Sequence, residues 1–213
     1  MAEEVIERFD FMRLEPRRSL VMGDRTGSVT SFLERRGASV EAFAPGALDE
    51  EQPLAGEPSD LIVHLGMLDT VNDLPGALMH LRTALAERGV LIAIMFGAGS
   101  LRPLRQAMLA ADGERPAARM HPMVDAQSAS ALMQRAGFGR QVVDTQRLNV
   151  RYASLDRLIA DLRAQAATSV LASAAPSLTR AQYKAASEAF LDQAEADGKV
   201  TVSFELLTLT GWK

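Results

Sequence analysis

Few residues in this 213-residue chain combine a reactive side chain with a spacing that chemistry can use. There is no cysteine, which removes disulfides, thiolate nucleophiles and cysteine-held metals and makes a reducing compartment, the cytoplasm, the expected setting. The three histidines, His64, His80 and His121, stand far apart, with no carboxylate or second histidine at a metal-ligand spacing. His80 and His121 read as solvated or packing residues. Gly23 and Gly27 bracket the turn Gly23-Asp-Arg-Thr-Gly27, which lacks the lysine that completes a phosphate loop. No Ser-His-Asp arrangement accompanies it, so hydrolase and kinase chemistry have no support. The turn does carry Asp24 and Arg25 just ahead of a helix N-terminus, where backbone donors and the dipole favour negative charge. These two can pair with each other or recruit an anionic ligand; the plain alternatives are that they are exposed, solvated charges and that the glycines only shape the turn. His64 lies in an apolar run and Asp69 follows it, which makes both candidates to line a crevice.

The elements that must position these residues follow from apolar spacing. Residues 19–22 form a short apolar run broken at Gly23, and Val29, Phe32 and Leu33 then fall at helical spacing before Gly37. Strands are expected at 40–43 and, buried on both faces, at 61–65. Asn72 and Asp73 can cap a helix with Pro75 in its first turn and Leu74, Ala77, Leu78, Leu81 and Leu85 as its apolar stripe, ending at Gly89. A buried strand at 90–96 precedes Gly97 and Gly99 and a helix carrying Leu101, Leu104 and Met108. Asp125 can cap a helix that Gly137 stops, with a strand at 141–145 after it. Two amphipathic helices follow, behind Ser154 and Thr179, with a loop at 172–176 between them. An alternating strand at 200–210 closes the chain as a hairpin partner at the sheet edge.

Alternating strands and helices with a glycine turn after the first strand define an α/β fold with an open, doubly wound sheet, whose ligand crevice lies at the carboxyl ends of the strands. One domain is expected over 1–213, with a two-helix insertion at about 154–197. A net charge of -4 and a pI near 5.5 give no reason to approach phosphate backbones or anionic lipid, so nucleic-acid and membrane partners are not expected. No apolar run reaches the roughly 20 residues of a membrane span, and the acidic N-terminus has no signal-peptide core.

Four segments together carry a resemblance: Asp60-Leu-Ile-Val, Val71-Asn-Asp-Leu-Pro-Gly-Ala-Leu, Arg88-Gly-Val-Leu-Ile and Phe96-Gly-Ala-Gly-Ser-Leu-Arg-Pro-Leu-Arg105. They resemble the class I S-adenosylmethionine (SAM)-dependent methyltransferases. Within that superfamily the similarity is to the biotin-pathway methyltransferases acting on malonyl-acyl carrier protein and, more closely, to the complex I assembly factors with arginine hydroxylase activity of mitochondria and α-proteobacteria. Arg135-Ala-Gly-Phe138, Val143-Asp-Thr145, Val150-Arg-Tyr152 and Leu209-Thr-Gly-Trp212 strengthen the second comparison. The resemblance covers about residues 17–213. It implies a Rossmann-like sheet, mostly parallel with an antiparallel last strand, SAM as cofactor, and Arg151 and Tyr152 as residues facing a substrate or partner. It also implies that an N-terminal segment that often lids the SAM pocket in the family is missing here.

The departures from the family pattern fall at the cofactor. In Leu20-Val-Met-Gly-Asp-Arg-Thr-Gly27 the family's acidic position is Val21 and its middle glycine is Arg25, a bulky cation with a bias against positive φ. The acid that holds the ribose hydroxyls at the end of the second strand is replaced by Phe43-Ala44. Only 15 residues separate Ala44 from Asp60, about half the length the family uses for a helix and a strand bearing the adenine contacts. Asp69-Thr70 stands where the family often has His-Trp. The expectation is a remnant pocket of Gly23, Asp24, Arg25, Gly27, His64 and Asp69 with weak or absent SAM binding, in a pseudoenzyme that works through a protein partner such as a respiratory complex I subunit. A working SAM methyltransferase, or an arginine hydroxylase-like enzyme with an altered pocket, is the alternative. A dinucleotide-dependent oxidoreductase stands third, since it too needs a ribose acid at Ala44.

Overall fold

The computed structural model describes residues 1–165, 167–168, 171 and 175–213; residues 172–174 of the loop expected at 172–176 lie outside them. The chain divides into two compact units. The first comprises Met1–Phe96, Val124–Gln146 and Leu206–Lys213, and the second Gly97–Met123 and Arg147–Glu205.

A six-stranded sheet runs in the order β2-β1-β3-β4-β6-β5, with β1 at Arg18–Met22, β2 at Ser39–Phe43, β3 at Ser59–Leu65, β4 at Leu85–Phe96, β5 at Arg140–Tyr152 and β6 at Val200–Trp212. β1 pairs parallel with β2 and β3, and β3 pairs parallel with β4. β6 runs antiparallel to β4, Val90 opposite Trp212 and Phe96 opposite Leu206. The doubly wound, mostly parallel sheet with an antiparallel last strand is therefore as the sequence implies. Leu61, Ile62 and Val63 are almost wholly buried, although they face opposite ways, because an apolar layer covers each side of the sheet. On one side Leu20, Met22, Ile62 and Leu91 meet α3 (Leu74–Ala84) and α5 (Ala126–Arg135). On the other Val21, Val63, Ile92 and Ile94 meet α1 (Ala2–Met12) and α2 (Ser28–Arg35).

Two expectations about elements are corrected, and one helix comes in addition. Helix α1 was not foreseen, yet Val5 and Phe9, one helical turn apart, are both 2% exposed. Phe9 meets Phe32 edge to face at 5.1 Å, and the Arg36 guanidinium lies over both rings and reaches Asp10 at 2.7 Å. Helix α3 ends at Ala84, short of Gly89, because Leu85 is already extended and opposite Ser59. Leu85 packs in the same apolar cluster as α3, so its hydrophobicity did not reveal which backbone carries it. Finally, β6 lies inside the sheet and the largely exposed β5 is the edge. The seven C-terminal residues of β6 belong to the first unit and are buried on both faces up to Trp212, which an edge strand would not be.

Between Phe43 and Ser59 there is neither helix nor strand. The shortening inferred from sequence length thus corresponds to a missing element, and β2 is left as the sheet's other edge. In the second unit, α4 (Arg102–Asp112) and α6 (Leu155–Ala164) both pack on α7 (Arg180–Leu191), burying Ala107, Leu158, Ala186 and Phe190. Asp112 grips the Arg119 guanidinium through both carboxylate oxygens, and Arg119 Nη1 also donates to the Pro176 carbonyl at 2.9 Å. Among the described residues no helix is long and apolar enough to cross a membrane.

Candidate functional site

The candidate crevice lies within the first unit, at the carboxyl ends of β1 and β3. β1 gives way at Gly23, whose N–H donates to the Phe43 carbonyl at 3.0 Å. Its φ is +79°, and a Cβ built there would lie 2.3 Å from the Leu65 carbonyl oxygen. Glycine at 23 is therefore demanded by the approach of β1 to β3, whatever ligand is or is not bound. Gly27 is different: it caps α2 with φ +68° and has open space around it, so only its backbone conformation calls for glycine. Arg25 lies between them, exposed, and is not among the non-glycine residues with positive φ.

Asp24 turns inward along the helix. Its Oδ2 accepts from the Thr30 amide at 2.9 Å and the Thr30 hydroxyl at 3.1 Å, and Oδ1 accepts from the Thr26 hydroxyl at 3.3 Å. A carboxylate of the chain itself thus satisfies a first-turn donor of α2, at the place where an incoming anion would gain most from the helix dipole.

His64 stands opposite Met22 in register and is 1% exposed. Its Nε2 lies 3.3 Å from Glu50 Oε1, while Nδ1 is buried without a hydrogen-bond partner. Burial of Glu50 works against ionisation, but the hydrogen bond from His64, a backbone N–H and the charge of His64 together hold its carboxyl below the ordinary value. The Glu50 carboxylate accepts from Nε2 of the imidazole, so the second ring nitrogen, Nδ1, faces the buried interior without a partner. The neighbouring Glu51 accepts from the amides of Asn72 and Asp73, the latter at 3.1 Å. Asp73 then caps α3 through the Gly76 amide at 2.9 Å. Asp69 sits in a single 3₁₀ turn, Leu68–Thr70, and its Oδ1 accepts from the Phe96 amide at 3.4 Å.

Gly23 and His64 are thus brought to the ends of two adjacent strands, with Asp24 and Gly27 turned toward α2 and Asp69 toward the end of β4. Glu50 and Glu51 went unnoticed in the sequence. Their only signal was a pair of acids in a segment too short for the family's helix and strand. Arg151 and Tyr152 belong to the second unit. Arg151, half exposed, pairs with Glu195 at 3.3 Å and with Asp197. Tyr152 is buried, and that burial together with its hydrogen bond to Asp161 pushes its hydroxyl up to about 12. His80 is partly exposed on α3, and His121 is buried ahead of Pro122, which favours packing over solvation for the latter. Among the described residues no cluster of three metal-binding side chains exists.

A Rossmann-like sheet whose last strand, β6, runs antiparallel beside β4 is the architecture of the methyltransferase-like proteins. Residues 1–140 match the methyltransferase domain family, and the chain belongs to it. It is 30% identical over 170 residues to the mitochondrial arginine-hydroxylase NDUFAF5 of Mus musculus, a match covering 78% of this chain and 50% of that protein. It is 30% identical over 178 residues to malonyl-[acyl-carrier protein] O-methyltransferase 1 of Coxiella burnetii, covering 76% and 61%. The chain spans about half the length of the first of these curated relatives. Among solved structures, a methyltransferase-like protein of Bacillus halodurans superposes with a TM-score of 0.64 at 11% identity, over 100% of this chain and 98% of that one. Phosphoethanolamine N-methyltransferase 2 of Haemonchus contortus, solved with SAM, gives 0.55 at 12% identity over 100% and 52%. At such identities these two structures speak to the fold alone.

The end of β2 offers Phe43-Ala44 to ribose hydroxyls, Asp24 is committed to Thr30, and Glu50 is held against His64 by a segment that stands where a strand is missing.

Proposed function

We propose that this is a methyltransferase-family protein whose cofactor crevice has lost its grip on SAM and which acts by binding a protein partner. A subunit of respiratory complex I, or one like it, is the partner we infer from the relatives described as arginine-hydroxylase NDUFAF5. The observation that carries the reading is the Glu50–His64 contact: the chain's own carboxylate engages the one buried polar side chain at the end of β3. Ala44, with no carboxylate to offer, supports it. Native mass spectrometry of the purified protein tests the reading, with an unliganded mass as the expected result. A mass increased by SAM or its demethylated product would favour a working methyltransferase instead, a second reading that the retained Gly23–Gly27 turn supports.

A further inference from the structure

The segment at 44–58 contains no regular structure, yet it is tied down at several places. Leu48 and Leu54 pack against the apolar cluster beneath α3. Glu50 meets His64 at 3.3 Å, and Glu51 takes the amides of Asn72 and Asp73. A solvated connection of this length would need none of these contacts. The side chain it covers is the one whose closed state is least satisfied: His64 is 1% exposed, with Nδ1 sealed from solvent and without a partner. A buried polar atom in that condition forfeits its hydration and receives nothing in return.

We propose that residues 44–58 form a strap, latched by Glu50 on His64 and by Glu51 on the Asn72 and Asp73 amides, whose release opens the ends of β1 and β3 and presents Nδ1 of His64 to solvent. All the latching groups lie in the first unit, and the strap's own backbone makes no ladder hydrogen bonds that opening would have to break. Local openings of this kind draw on segments with few buried contacts while the strands beneath stay paired.

Modification by diethyl pyrocarbonate, read by peptide mass spectrometry, tests the strap. In the unaltered protein His64 resists modification while the partly exposed His80 reacts. Glu50→Ala is expected to raise the His64 rate roughly tenfold or more, the factor that losing one charge-assisted hydrogen bond brings to a local opening. Glu50→Gln, which keeps an acceptor oxygen for Nε2, falls between the two. Hydrogen exchange then accelerates across 44–58 while the amides of β1, β3 and β4 keep their rates. Continued protection of His64 in Glu50→Ala would overturn the strap, and so would exchange that quickens uniformly through the strands, since Glu50 would then merely support the fold. The inference goes beyond the cofactor reading and fails separately from it. Tight SAM binding to Glu50→Ala would support an openable crevice and at the same time sink the proposal that the site is lost.

Discussion

A methyl group at position 23 has nowhere to go, because the Leu65 carbonyl already lies where it would sit and φ is positive. Gly23→Ala should therefore cost roughly 3 kcal/mol, backbone strain and overpacking combined, seen as a lower urea midpoint with an unchanged slope. A change within a few tenths would mean that β1 and β3 are not so close. Arg25 makes the opposite case. Since its backbone is ordinary and Asp24 is already engaged with Thr30, Arg25→Gly alone should leave SAM binding no stronger by calorimetry. Recovery of micromolar affinity in that single variant would show the guanidinium to be the whole obstacle. The two tyrosines supply a pH test. Burial, with Asp161 beside Tyr152 and Asp156 beside Tyr183, pushes both hydroxyls from 10.0 up to about 12. A raised acid favours its protonated form in the folded chain, so this stabilisation is whole below pH 10 and is lost as pH rises toward 12. Ultraviolet titration should find no tyrosinate forming around pH 10 in the folded protein, and Tyr152→Phe should cost about 1 kcal/mol at neutral pH. Ordinary titration of both phenols would contradict the burial and both hydrogen bonds.

Each helix for which the sequence offered a capping side chain begins at that cap. Asp73, Asp125, Ser154 and Thr179 all accept a first-turn amide, and Thr179 completes a reciprocal box with Gln182. Asp73→Ala should accordingly lower stability by about 1 kcal/mol, measured by denaturant melting. No loss would imply that the two amides held by Glu51 keep the helix start in place by themselves. Caps and apolar period are local signals, which is why these elements were legible. The end of α3 was not, because Leu85 buries the same side chain against the same cluster from an extended backbone. Helix α1 was missed for want of a cap side chain at Met1, although Val5 and Phe9 carried the period. The strap lay further out of reach: Glu50 meets a histidine 14 positions away, and nothing in the intervening residues marks the pairing. What could be read was a deficit of length between Ala44 and Asp60, and the structure turns that deficit into an absent strand.

Over the whole molecule, the sheet and the crevice carry different information. The sheet of the first unit is that of the methyltransferase family, with apolar layers on both faces and β6 returning antiparallel beside β4. Such a scaffold is indifferent to whether its crevice is in use, since its stability comes largely from buried Leu, Ile and Val at about 1.5–3 kcal/mol each. Family membership therefore sets the fold, and function turns on the few side chains at the strand ends. On the proposed reading those that would hold SAM are replaced or already engaged, Asp24 with Thr30 and Glu50 with His64, and residues 44–58 hold no strand for its adenine to lean on. Isothermal calorimetry of the purified protein against SAM addresses this most directly. Titration to millimolar SAM should give only heats of dilution. A saturable isotherm with a micromolar Kd would show that other residues have taken over the missing contacts, and the proposal of a lost cofactor site would have to be abandoned.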